Sequence, residues 1–140
     1  MRDFYNQIAF QGKPFLGVGL GNFVNWLKEI DPGLASNLYQ PVHNIYLLIF
    51  SETGILGLTL FLLFLFFLIK NSHYDIMIYH TSLFFIFISL LFFGLFDHFL
   101  WTLQQGQIIF WLVSGLVAAM AKPTANVPIA QSDRARPSGG

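Results

Sequence analysis

The chain has 140 residues, 55% of them hydrophobic and only 10% charged, with 17 phenylalanines and a mean hydropathy of +0.61. A soluble domain carries about 25% charged residues, so this composition is that of an integral membrane protein or a piece of one. Seven basic residues balance seven acidic ones, which leaves no basic stripe for a nucleic acid; the absence of cysteine excludes disulfides, thiolate metal sites and a cysteine nucleophile.

The expected fold class is an all-α membrane protein with about three transmembrane helices, preceded by an extramembrane loop segment with short helices. The opening residues, Met1 to Gln7, lack the apolar stretch and cleavage site of a signal peptide. They do not resemble the start of a domain either, so the chain reads as the C-terminal portion of something longer. Residues 1–44 form the extramembrane segment. Phe4 to Phe10 suit a short amphipathic helix, after which Gly12, Pro14, Gly17, Gly19 and Gly21 interrupt regular structure. A second short helix is predicted over Phe23, Val24, Trp26 and Leu27, with Asn22 as its N-cap. Asp31-Pro32-Gly33 signals a turn.

The membrane region is expected over residues 45–121. Its first span, 45–69, would rise roughly 37 Å as a helix, enough for a hydrocarbon core of about 30 Å. A polar loop from Lys70 to Asp75 separates it from a second span at 76–96. A third, 100–120, crosses only if Gln104, Gln105 and Gln107 sit near the interface, with Trp101 in the aromatic belt. Residues 122–140 read as a disordered tail rich in Pro, Ala, Ser and Gly. Alternation places residues 1–44 and the loop around Asp97–Gln105 on one side. Lys70, Lys122, Arg134 and Arg136 outweigh Asp75 and Asp133 on the other, which makes that side cytoplasmic and turns His43 outward.

Polar groups at the mouth of an apolar run mark candidate function, because they are costly at membrane depth. His43 carries an imidazole able to take a proton from a hydroxyl or bind an anion; the alternative is an interfacial histidine packed beside Tyr46 with its nitrogens in water. Pro41 directs the entry of the chain by biasing Gln40 away from helix. Asn44 suits an N-cap, and a capped helix start is favourable to anions. Glu52, roughly 13 Å further along the axis, cannot share an atom with His43 and reads as a structural partner for a polar group on another helix. Gly54 and Gly57 lie one turn apart and read as a close helix-packing face.

Gly17-Val18-Gly19-Leu20-Gly21-Asn22 lacks the strand and βαβ context of a nucleotide fingerprint; it reads as a permissive loop whose amides suit a phosphate. Asp97, His98, Trp101, Gln104, Gln105 and Gln107 lie on the His43 side. An acid, an imidazole, an indole and amides suit sugar binding, and equally an ordinary belt loop. Spacing does not test a metal site at His43, Asp97 and His98, and none is expected.

The run His43-Asn44, nine residues, then Gly54-x-x-Gly57 resembles the signature of the O-antigen ligase-like membrane proteins, which include lipopolysaccharide O-antigen ligases, polysaccharide polymerases and protein O-oligosaccharyltransferases. Pro14 to Phe23, with its three glycines, is similar to the lead-in these proteins carry in a large periplasmic loop. Glu52-Thr53-Gly54-Ile55-Leu56-Gly57 and Asp97-His98-Phe99-Leu100-Trp101-Thr102 are similar as well, so the resemblance covers residues 1 to about 120. It implies an inverting, metal-independent glycosyltransferase of the bacterial inner membrane, without a cofactor. The donor would be a glycan on polyprenyl (undecaprenyl) diphosphate, and the acceptor a hydroxyl of a lipid-A core sugar, another glycan or a protein.

On this resemblance His43 matches the essential histidine. Arg2 is the one arginine ahead of the glycine segment that could hold the diphosphate. Asn44, Asp97, His98, Trp101, Gln104 and Gln105 are the expected substrate contacts, and Pro41, Glu52, Gly54 and Gly57 the structural positions. Family members have many more spans than three, so the chain reads as the C-terminal portion of such an enzyme, inactive alone. The competing class is a non-enzymatic membrane module, either a transporter fragment or a scaffold that packs through Gly54 and Gly57.

Overall fold

The structure, a computed structural model, describes residues 2–71 and 78–119. All regular structure among them is helical: α1 (Arg2–Ala9), α2 (Phe23–Ile30), a 3-10 turn (Ser36–Leu38), α3 (Ile45–Asn71), α4 (Ile78–Phe93), α5 (Phe99–Thr102) and α6 (Gln104–Ala119). The expected tail, 122–140, and most of the polar loop after Lys70 lie outside the described residues.

The first two helices form because their apolar residues recur every three or four positions. Tyr5, Ile8 and Ala9 on α1, and Phe23 and Leu27 on α2, are buried together with Val42 and Leu48 in one small core. Two tyrosine hydroxyls close the segment around that core. Tyr5 donates to the Leu38 carbonyl at 2.5 Å, and Tyr39 to the Asp31 carbonyl at 2.9 Å. Asp31-Pro32-Gly33 is a turn, with the Leu34 amide returning to the Asp31 carbonyl at 3.3 Å. The expected cap on α2 is corrected in detail. Asn22 stands at the N-cap position, but its side chain makes no capping bond. Its Nδ2 instead donates to the Val18 carbonyl and its Oδ1 accepts from Asn25, each at 3.0 Å.

Asn44 does cap α3: its Oδ1 accepts the backbone amides of Tyr46 at 2.9 Å and Leu47 at 3.0 Å, two of the donors a helix start leaves unpaired. The same side chain also anchors the start of α3 to the end of α4. Its Nδ2 donates to the Leu95 carbonyl at 3.1 Å, and beside it the Ile45 amide donates to Gly94 at 2.8 Å.

Gly54 has a backbone role beyond the expected packing face. Gly54 has φ 70° and ψ −170°, a conformation outside the helical region that interrupts α3 and that is essentially confined to glycine. The break releases carbonyls that an intact helix would use, and the glycine-rich lead-in takes them. Val18 donates to the Ser51 carbonyl and Gly19 to the Glu52 carbonyl, both at 2.9 Å, while Ile55 donates to the Pro14 carbonyl at 2.8 Å. A side chain on Gly54 would strike the Phe15 backbone. Gly57 faces the Thr53 side chain of its own helix.

The larger core joins Ile45, Ile49, Phe61, Leu65 and Leu68 of α3, Phe87 of α4, Leu100 of α5, and Phe110, Val113 and Val117 of α6. The expected third span is likewise interrupted. Leu103 takes an extended conformation, φ −93° and ψ 134°, so α5 and α6 are separate helices packed closely on one another. Gly106 allows this, because a Cβ there would strike the Phe99 carbonyl. Only α3, with 27 residues, is long and apolar enough to cross a membrane among the described residues. Within the described residues α4 and α6 have 16 residues each and rise about 24 Å, against a core of about 30 Å.

Candidate functional site

The ties between α3 and the end of α4 bring two distant stretches of chain to one end of the fold. His43 immediately precedes Asn44, which is bonded to Leu95; Asp97 and His98 follow two and three residues after Leu95. As a result the His43 and His98 rings lie 5.2 Å apart between centroids, inclined at 38°. The expected alternative of His43 packed beside Tyr46 is corrected. Its ring meets the edge of Tyr5, at 6.4 Å and 81°, while the Tyr46 hydroxyl donates to the Leu91 carbonyl at 3.0 Å.

His43 and His98 are half-buried and Asp97 is exposed. Asp97 Oδ1 accepts the Phe99 amide at 3.0 Å, which stabilises the first turn of α5. His98 Nδ1 meets Thr102 Oγ1 at 2.7 Å, and that hydroxyl in turn donates to the His98 carbonyl at 3.2 Å. The threonine thus occupies Nδ1 and leaves Nε2 to other partners. Burial pushes the His98 imidazole below its ordinary pKa and His43 adds to this, outweighing the lift from the Asp97 charge. His98 is therefore neutral at pH 7.

A cavity of about 620 Å³ opens beside this cluster, with Pro41 and Thr102 on its wall and Leu20, Gly21, Phe23 and Val24 on the glycine-loop side. Glu52, Trp101, Gln107 and Trp111 complete it. Glu52 is buried at 4% exposure, and its Oε2 accepts the Trp101 indole N–H at 3.4 Å. The backbone amides of Gly21 and Phe23 lie within hydrogen-bonding range of the same carboxylate. Its partners include an indole and the glycine loop, and it lines a cavity as well as bracing the fold.

The remaining expected residues divide. Trp101 sits on the cavity wall and Asn44 builds the end of the fold. Gln104 and Gln105 are exposed on the first turn of α6 and are absent from the cavity lining. Arg2 opens α1, one turn before the Tyr5 that touches His43. Gln107, the third amide of the expected sugar-binding loop, does line the cavity, whereas Trp111 carried no signal in the sequence. On one continuous helix Trp111 would stand about 15 Å from Trp101; the turn at Leu103 folds both onto one wall. Gln107 Nε2 donates to the Trp101 carbonyl at 2.5 Å, a carbonyl at the end of α5.

No family model, no curated protein and no solved structure matches this chain.

Proposed function

We propose that the chain spans a membrane three times and is the C-terminal part of a glycosyltransferase, one that moves a glycan from a polyprenyl diphosphate carrier to a hydroxyl acceptor. The observation that carries this reading is the cavity of about 620 Å³, walled by Trp101 and Trp111 with Glu52 and Gln107 between them. Its volume suits a ligand of one or two sugar rings. Indole faces cover the apolar face of a sugar ring, while the carboxylate and amide accept and donate to its hydroxyls. His43 follows Pro41 of the cavity wall by two residues, and under this reading it takes the acceptor proton as a general base. The large uncovered apolar side chains of α3, α4 and α6, among them Phe66, Phe67, Phe85, Phe92, Ile109 and Leu112, suit lipid and further helices of a longer protein. The described lengths of α4 and α6 cross under this reading with local thinning of the bilayer.

The competing reading, a transporter fragment or helix-packing scaffold, predicts instead that His43→Ala is nearly silent. The test is glycan analysis of a deletion strain complemented with the complete protein, as wild type, His43→Ala, Trp111→Ala or Glu52→Gln. His43→Ala is expected to abolish transfer at normal membrane levels, and the other two to lower it at least tenfold. Unchanged glycans with His43→Ala would sink the reading.

A further inference from the structure

Three side chains of ligand type, drawn from two stretches more than fifty residues apart in sequence, converge at the end of the fold. Ligand atoms of His43, Asp97 and His98 all lie within 4.8 Å of one another. We propose that these three residues form a binding site for a divalent cation of the zinc class.

The surroundings hold the set together from both sides. The Asn44 bond to Leu95 and the Ile45 bond to Gly94 lock the two backbones within one to three residues of every ligand. Thr102 occupies His98 Nδ1, which leaves Nε2 for a cation; metal-binding histidines commonly carry such an outer partner on the second nitrogen. Asp97 spends Oδ1 on the Phe99 amide, leaving Oδ2 for a cation. Two imidazoles with one carboxylate select zinc-class ions over magnesium and calcium, which demand oxygen. Ligands on tetrahedral zinc, with bonds of about 2.0–2.1 Å, stand roughly 3.3 Å apart. For the ligand atoms that lie within 4.8 Å, closing to that spacing needs a shift of about 1.5 Å, which rotation of the exposed Asp97 and half-buried His43 side chains supplies. Three protein ligands leave the fourth position open.

A consequence rests on the proposed transfer reaction. The bound ion takes the imidazole lone pair that His43 would use as a base, so zinc inhibits transfer that itself requires no metal. Binding does not depend on that reading.

The test uses the complete protein in detergent micelles, purified through a tag without histidines, stripped with EDTA and titrated with cobalt(II), whose visible absorption reports coordination. The expected result is one saturable cobalt per chain, displaced by zinc. Binding should be at least tenfold weaker in His98→Gln and Asp97→Asn, and about tenfold to a hundredfold weaker in Thr102→Val, which touches no ligand atom. Circular dichroism on each variant confirms that the helices persist. Absence of a saturable cobalt spectrum in the wild type, or an equal affinity in folded His98→Gln, overturns the site. If cobalt binds and no glycan transfer exists, the site stands and the transfer reading falls; if transfer proceeds and cobalt does not bind, the reverse holds.

Discussion

Gly17 and Gly54 meet where two backbones cross. A Cβ on Gly17 would run into the Glu52 carbonyl and the Thr53 amide, and one on Gly54 into the Phe15 carbonyl. Both take positive φ, 69° and 70°, so each position is closed to other residues by conformation and by contact together. The crossing lets residues 14–19 supply the hydrogen bonds that the broken α3 forgoes. Broken helices with their polar backbone satisfied by protein are the form in which irregular chain is tolerated at membrane depth.

The crossing sets a rank order for glycine substitutions. Gly54→Ala and Gly17→Ala each combine backbone strain with a direct clash and are expected to cost on the order of 3–5 kcal/mol. Gly21→Ala has φ 68° but open space around the added methyl, and should cost only about 1–2 kcal/mol. Thermal unfolding of the three variants in detergent tests the order; a Gly54→Ala protein as stable as Gly21→Ala would contradict it.

Asn44 serves two ends at once, which a pair of substitutions separates. Asn44→Asp keeps the oxygen that accepts from Tyr46 and Leu47 but loses the donor to Leu95. Asn44→Ala loses both. The expected losses are about 1 kcal/mol for the aspartate and about 2 kcal/mol for the alanine. Chemical unfolding midpoints would show this as two steps; equal effects would mean that the Leu95 bond carries all of it.

The His98 environment makes stability depend on pH in a defined direction. Burial holds its folded pKa below the ordinary value of 6.5, so the unfolded chain takes up the proton first as pH falls. The stabilisation is complete above about pH 6.5, is lost progressively as pH drops toward the lower folded value, and does not return below it. Unfolding temperatures measured between pH 7.5 and 5 in EDTA should decline in the wild type and decline less in His98→Gln. Parallel curves would remove His98 as the cause.

Much of this architecture was legible one helix at a time. Tyr5, Ile8, Phe23 and Leu27 recur at helical spacing, and Asn44 precedes a long apolar run; such signals are local, and the structure places helices over them. Glu52 was legible as buried, because a carboxylate in an apolar run needs a partner, but not its indole partner, since Trp101 lies forty-nine residues away. The break at Gly54 escaped the sequence reading for a different reason. Hydropathy sums side-chain preferences, and the deciding event is an exchange of backbone hydrogen bonds with residues 14–19, to which side-chain polarity is blind.

The sequence by itself determined that the chain is apolar, helical and punctuated by glycine, because composition, periodicity and capping act over a few neighbouring residues. The tertiary structure alone decided that His43 lies against His98, that the glycine loop completes α3, and that Trp101 and Trp111 share a cavity. Each of these depends on where a helix stops. Gly54 and Leu103 stop helices whose side chains would have let them continue, and the bonds that compensate come from parts of the chain that only folding brings near.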